Sequence, residues 1–371
     1  MEWVGTTAGA RSSAPDERAV SLQGLILRGD ASDRRALFLF LRPPSAWQLM
    51  PIEQATVAGG ADILCATSRF ARNEALAVFE ETLLDIGAWI RTAREDWGYK
   101  HIILLGWSGS GTLSAFYQAQ AEQPTITTIP GGRALDLSRA GLQPADGLIF
   151  QGAHASRARM LAEAIDPSMI DEADGSHRDA GLDLYDGAAP RPPYTADFLA
   201  RYRTAQRARI ERISLRARQQ LQSEDPTIRN RPFVVERTMA DPHYLDLTID
   251  PNGRARDQCW LGSPVTVNVA PGGIARVATP EAWLSQWSVE DSQADAVRSA
   301  ASIRCPLLVI ENGADDAVPP AHLRETFEVA ASPDKSFARI EGASHSYAGQ
   351  PQQLQEAVAL ARQWAGEREL T

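Results

Sequence analysis

Residues 101–116 read His101-Ile-Ile-Leu-Leu-Gly-Trp-Ser-Gly-Ser-Gly-Thr-Leu-Ser-Ala-Phe116, and this stretch decides the fold. Its first part is apolar throughout, as a strand covered on both faces must be, and its last part has a helical pattern. Between them lies a run of small residues with Ser108 at the turn. A residue held at so sharp a strand-to-helix junction takes strained backbone geometry, so the residues two before and two after it must be small. Gly106 and Ser110 meet that need, although the usual pattern ends in glycine and Ser110 departs from it. Two other readings stay open. A glycine-rich loop at a helix start can cradle a phosphate, but Gly106, Gly109 and Gly111 run in the reverse of the dinucleotide spacing and no lysine completes a P-loop. The second is a tight turn with a purely structural role.

On either side, short apolar runs alternate with helical patterns up to about residue 155 and again from about residue 300, the rhythm of an α/β fold with a mostly parallel sheet flanked by helices. Strands are expected at Leu22–Leu27, Leu37–Leu41, Ile63–Thr67, Ile102–Leu105, Gly147–Phe150, Leu307–Glu311 and Phe337–Glu341. Leu76, Phe79, Leu83, Ile86 and Ile90 step by three and four and predict a helix with one apolar stripe. A final helix should start near Pro351, with Leu354, Val358 and Ala361 facing inward.

The middle, residues 155–294, breaks the rhythm with GAAPRPPY, DPNGR and APGG, and reads as an insertion between a core made of residues 1–154 and 295–371. It contains one long helix, capped by Thr195 and running to Leu221, with an interrupted stripe of Phe198, Tyr202, Ile210, Ile213, Ala217 and Leu221. Seven arginines between Arg201 and Arg218 should form its solvated face, with an anion-binding surface as the alternative.

Two later segments complete a pattern with Ser108. The run Leu307-Leu-Val-Ile-Glu-Asn-Gly-Ala-Asp-Asp carries Asp315 in the loop after a strand, with Asp316 as an equally acidic neighbour. His345 follows the last expected strand. Serine, acid and histidine therefore come in the order that a strand–elbow–helix nucleophile requires, on the strand-end loops where α/β sheets present functional groups.

In GWSGSG (106–111), DDAVP (315–319) and GASH (342–345) the chain resembles the α/β-hydrolase family, over residues 20–154 and 300–371, with the middle segment where that family commonly inserts a cap. FYQAQAE and SHSYAGQ further resemble a little-described bacterial branch. The resemblance implies an α/β-hydrolase fold with a largely helical cap before the strand that carries the acid. It also implies roles: Ser108 as nucleophile, His345 as base and acid, and Asp315 as the group that orients the imidazole. Gly109 supplies one oxyanion N–H. The second belongs to the loop after Leu37–Leu41, which here reads Arg42-Pro43-Pro44-Ser45; proline has no N–H, so Ser45 is the candidate. A serine nucleophile leaves esters, lactones, amides and activated C–C bonds as substrates, and a serine esterase acting on carboxylic esters or lactones of small to medium apolar substrates is the expected activity. An amide or C–C hydrolase, or a hydrolase-fold binding protein that has lost its chemistry, are the alternatives. Trp107, His154, Trp283 and Trp287 are the candidate substrate contacts, and Trp260 and Tyr202 could extend an apolar wall.

Composition narrows the rest. Of 371 residues, 44% are hydrophobic and 23% charged, which is ordinary for a folded globular chain. A net charge of −10 disfavours a nucleic-acid partner. The strongest apolar run, Ala36 to Leu41, is far short of the ~20 residues of a membrane span. The first eighteen residues show no apolar signal-peptide core, so a cytoplasmic location is expected. Cys65, Cys259 and Cys305 are too scattered for a disulfide framework or a zinc site, and neither a metal nor an organic cofactor is implied. A small-molecule substrate is the expected partner, and homo-oligomerisation is left open.

Overall fold

A computed structural model describes residues 1–9, 19–30, 35–42, 50–186 and 188–371. The first half of the chain forms β1 (Glu2–Ala8), β2 (Val20–Leu27), β3 (Ala36–Leu41), α1 (Pro51–Ala58), β4 (Asp62–Ala66), α2 (Phe79–Glu95), β5 (His101–Ser108), α3 (Gly109–Glu122) and β6 (Gly147–Ala153). The middle contributes α4 (Arg157–Ala164), α5 (Ala196–Leu221), α6 (Pro226–Arg229), β7 (Phe233–Val234), α7 (Pro264–Val269), β8 (Val277–Ala278) and α8 (Pro280–Gln286). The chain ends with α9 (Ala296–Ala300), β9 (Leu307–Asn312), α10 (Pro320–Val329), β10 (Lys335–Ile340) and α11 (Pro351–Gly366).

Among the described residues, eight strands form one sheet in the order β1-β2-β4-β3-β5-β6-β9-β10. β2 is antiparallel to β1 and to β4, and the remaining pairs are parallel. Alternation sorts the apolar side chains onto the two faces. Leu37, Leu39, Leu41, Ile102 and Leu104 pack with Leu83, Trp89 and Phe116 of α2 and α3. Phe38, Phe40, Ile103, Leu105 and Trp107 pack on the other face with Ile52, Val358 and Trp364 of α1 and α11. Both faces of the central strands are thus covered, which is why these strands read as continuous apolar runs.

Every expected strand is present, with ends shifted by no more than three residues. β1 is the addition. It lies at the sheet edge with most of its residues partly or fully exposed, including Trp3 at 57%, so its sequence lacks a buried strand's signature. Leu76 also falls outside α2, in a short 3₁₀ turn over Glu74–Leu76.

The middle segment builds three small cores of its own. Its regular elements are mainly helical, but only α5 is long, and much of the segment is irregular. Arg201, Arg207, Arg212 and Arg216 of α5 are exposed, as the expected solvated face requires, and Arg209 departs from it. Arg209 is fully buried, pairs with Glu172 at 2.7 Å, and donates to the carbonyls of Asp166, Glu236 and Arg237. Arg203 binds Asp241 at 2.6 Å and Arg218 binds Asp291 at 2.7 Å. Irregular chain leaves backbone carbonyls without ladder partners, and a guanidinium with five donors can satisfy several at once. None of the described helices is long and apolar enough to cross a membrane.

The middle segment and the sheet meet at a buried acid on α2. Glu80 is fully buried, Ser285 Oγ donates to it at 2.7 Å, and burial raises its carboxyl to about 7. Since that value exceeds the unfolded one, the native state binds the proton more tightly, and Glu80 favours folding most below about pH 4.5. The contribution is lost as pH rises through 7. Glu80→Gln should therefore gain stability over the wild type between pH 5 and pH 8; melting curves with a constant difference across that window would exclude the effect.

Candidate active site

β5 runs into α3 without an intervening loop, and Ser108 is the hinge, with φ 55° and ψ −132°. A non-glycine residue in this region costs of order 1–3 kcal/mol, so surrounding packing must impose it. The packing is tight. A Cβ on Gly106 would sit 2.7 Å from the Gly111 Cα, and one on Gly111 would sit 2.3 Å from the Ala153 Cβ. The demand for a missing side chain therefore falls three residues after Ser108 rather than two. Ser110 is buried and tolerated, its hydroxyl donating to the Trp107 carbonyl at 2.6 Å.

The loops after β9 and β10 bring the other two groups to the serine. His345 Nε2 lies 3.0 Å from Ser108 Oγ, and His345 Nδ1 lies 3.1 Å from Asp315 Oδ2. Asp315, rather than Asp316, faces the ring. Its other oxygen accepts the N–H groups of Ala317 and Val318 at 2.8 and 2.9 Å, which fixes the carboxylate. With a carboxylate at Nδ1, that nitrogen carries the proton and Nε2 is left to accept from the serine hydroxyl. Asp315 and His345 are buried, whereas Ser108 is partly exposed.

The histidine loop is itself tied down. Trp107 stacks on the imidazole with ring centres 4.6 Å apart, and its indole N–H donates to the His345 carbonyl at 3.1 Å. Asn312 donates to the Ser344 carbonyl, Tyr347 donates to Asn312, and Gln151 donates to the Tyr347 hydroxyl. Gly109 is the first residue of α3, so its N–H has no partner within the helix and the positive end of the helix dipole lies beside Ser108. Ser45, with Pro43 and Pro44, lies outside the described residues.

A cleft of about 620 Å³, counting the space at its mouth, opens at Ser108. Trp107 and His154 line it. His154 is buried, and burial together with His322 and His345 holds its pKa well below the ordinary value, so the ring is neutral. Trp283 and Trp287 are corrections. Both are fully buried and absent from the lining. Trp283 packs on Phe233 and donates to Ser214 Oγ at 3.0 Å. Trp287 lies under the Arg157 guanidinium, 4.2 Å from its ring centre. Tyr202 is likewise buried, its hydroxyl donating to the Ala240 carbonyl.

Of the residues expected in an apolar wall, Trp260 lines the cleft, joined by Met160 and Ile274, and three charged residues share the lining: Arg42, Glu74 and Arg157. Sequence reasoning passed over the three charged residues. Arg42 stood out only as the neighbour of two prolines, and Arg157 belongs to no motif. The lining therefore joins apolar side chains to charged ones.

No family model matches the chain, and no curated protein matches it by sequence. Its structure is similar to that of DcsB, solved in complex with its substrate analogue, at 13% identity over 99% of both chains with a TM-score of 0.55. Weaker likenesses are to the esterase domain of a Rhodothermus marinus protein (12% identity, 98% of each chain, TM-score 0.47) and to an alpha/beta fold family hydrolase from Bacillus anthracis str. Sterne (13% identity, 98% of this chain and 99% of that one, TM-score 0.43). At these identities the likeness is one of fold. The mostly parallel sheet flanked by helices, with its serine at a strand-to-helix elbow, is an α/β-hydrolase fold.

Two stability measurements check this account of the packing. Gly111→Ala should cost about 1–3 kcal/mol through overpacking against Ala153, while Ser110→Ala should lose only about 1 kcal/mol with its hydrogen bond. Trp283→Ala should cost about 3–5 kcal/mol in denaturant titration; wild-type stability would instead return Trp283 to the cleft surface.

Proposed function

We propose that the chain is a serine hydrolase that cleaves carboxylic esters or lactones through an acyl-enzyme on Ser108. The observation that carries this reading is the hydrogen-bonded series Asp315–His345–Ser108, with the serine open to a cleft and both partners buried. Ser108 Oγ attacks the acyl carbonyl as His345 Nε2 takes its proton. Asp315 stays ionised and stabilises the imidazolium. Negative charge that develops on the carbonyl oxygen meets the Gly109 N–H and the start of α3. When the tetrahedral intermediate collapses, His345 returns the proton to the leaving alkoxide, and water repeats the sequence to release the acid.

In this reading residues 155–294 act as the cap. Support comes from Arg157, Met160, Trp260 and Ile274, which belong to that segment and line the cleft. Covering the strand ends this way keeps bulk water from the acyl-enzyme and shapes the substrate space.

A fluorophosphonate probe should label the wild type and fail to label Ser108→Ala. Labelling that persists at Ser110 would put the nucleophile elsewhere. Asp315→Asn should lower kcat for a 4-nitrophenyl ester by about 10⁴-fold through the wrong histidine tautomer, whereas Asp316→Asn should change it by less than about tenfold. Equal losses would remove Asp315 from its role.

A further inference from the structure

The cleft beside Ser108 holds two guanidinium groups that are compensated very differently. Arg157 is matched: Glu74 accepts from it, Gln286 Oε1 accepts from it at 2.9 Å, and the Trp287 face lies beneath it. Arg42 is not. Among the described residues, no carboxylate lies within ion-pair distance of it, and its hydrogen-bond acceptor is the thioether of Met50, a weak one. Arg42 rests over Trp107, 5.3 Å from the ring centre, and so adjoins the indole that stacks on His345. With one carboxylate against two guanidiniums, and with His154 neutral, the cleft wall carries one unmatched positive charge. Glu53 interacts electrostatically with Arg42, but burial raises that carboxyl to about 7, so near neutral pH it is only partly ionised and offsets only part of this charge.

A half-buried guanidinium without a counter-ion is costly, and an occupant that strips its water without replacing the hydrogen bonds raises that cost. A carboxylate removes it, since its two oxygens match the guanidinium fork. We propose that this site selects esters that carry an anionic group, a carboxylate, which Arg42 binds in the cleft while the ester carbonyl lies at Ser108. The inference rests on Ser108 being the nucleophile and replaces the apolar substrate class with an anionic one.

The test compares mono-4-nitrophenyl esters of four- to eight-carbon diacids with the neutral 4-nitrophenyl alkanoates of equal length, corrected for spontaneous hydrolysis. A second series, acetate esters of ω-hydroxy acids against alkyl acetates, distinguishes a carboxylate on the leaving group from one on the acyl chain. In one of the two series the anionic ester should exceed its neutral partner at least tenfold in kcat/KM. Arg42→Gln should lower that ratio by tenfold or more, and Arg42→Lys should restore part of it. Preference for the neutral ester at every length in both series, or a ratio that Arg42→Gln leaves unchanged, overturns the proposal. Calorimetric titration of Ser108→Ala with adipate gives a reading independent of turnover. Binding that the added Arg42→Gln substitution abolishes supports the anion site even if no ester is hydrolysed, an outcome that would instead defeat the hydrolase assignment.

Discussion

The backbone of Ser108 is forced into a conformation that side-chain-bearing residues avoid, and the force comes from close contact between a strand and the helix that follows it. Gly106 and Gly111 touch backbone to backbone, and Gly111 in turn lies against Ala153 at the end of β6. The pairing of β5 with β6 shifts register between Trp107 and Ser108, where Gly152 is passed over with φ 45°. Thr112 then bonds the His154 carbonyl at 2.7 Å, which fixes the exit of the chain from the sheet. Ser156 caps α4 immediately afterwards, so the same junction that exposes the serine also aims Arg157. One steric constraint thus sets Ser108 and one wall of its cleft together.

Electrostatics follow a second economy. The sheet holds its shape with apolar side chains, whereas the middle segment, short of regular structure, relies on buried guanidiniums. Arg209 and Arg254 each satisfy three or more backbone carbonyls, drawn from the chain around residues 166, 237 and 243–250. Each such group costs desolvation that only complete hydrogen bonding offsets. Against this background of matched arginines, Arg42 differs, because among the described residues its direct contacts are a thioether and an aromatic face.

The central strands were legible because their signal is local: each is a short apolar run bounded by breakers. Ser108, Asp315 and His345 were legible for a related reason, since each follows a strand and their chain order restricts how they can meet. β1 was not, because an edge strand with solvent on its flanks has no apolar run to reveal it.

The alternation of strands and helices, the elbow, and the three residues that converge there can be read from the chain alone, since periodicity and glycine placement are properties of neighbouring residues. Which side chains face the cleft depends instead on how distant segments pack. Trp283 and Trp287 are apolar and sit in the right segment, yet packing across that segment buries them. Arg157 reaches its place through Gln286, 129 residues away in the chain. Contacts at that separation depend on how the irregular segment folds back on the sheet, and no spacing rule encodes it.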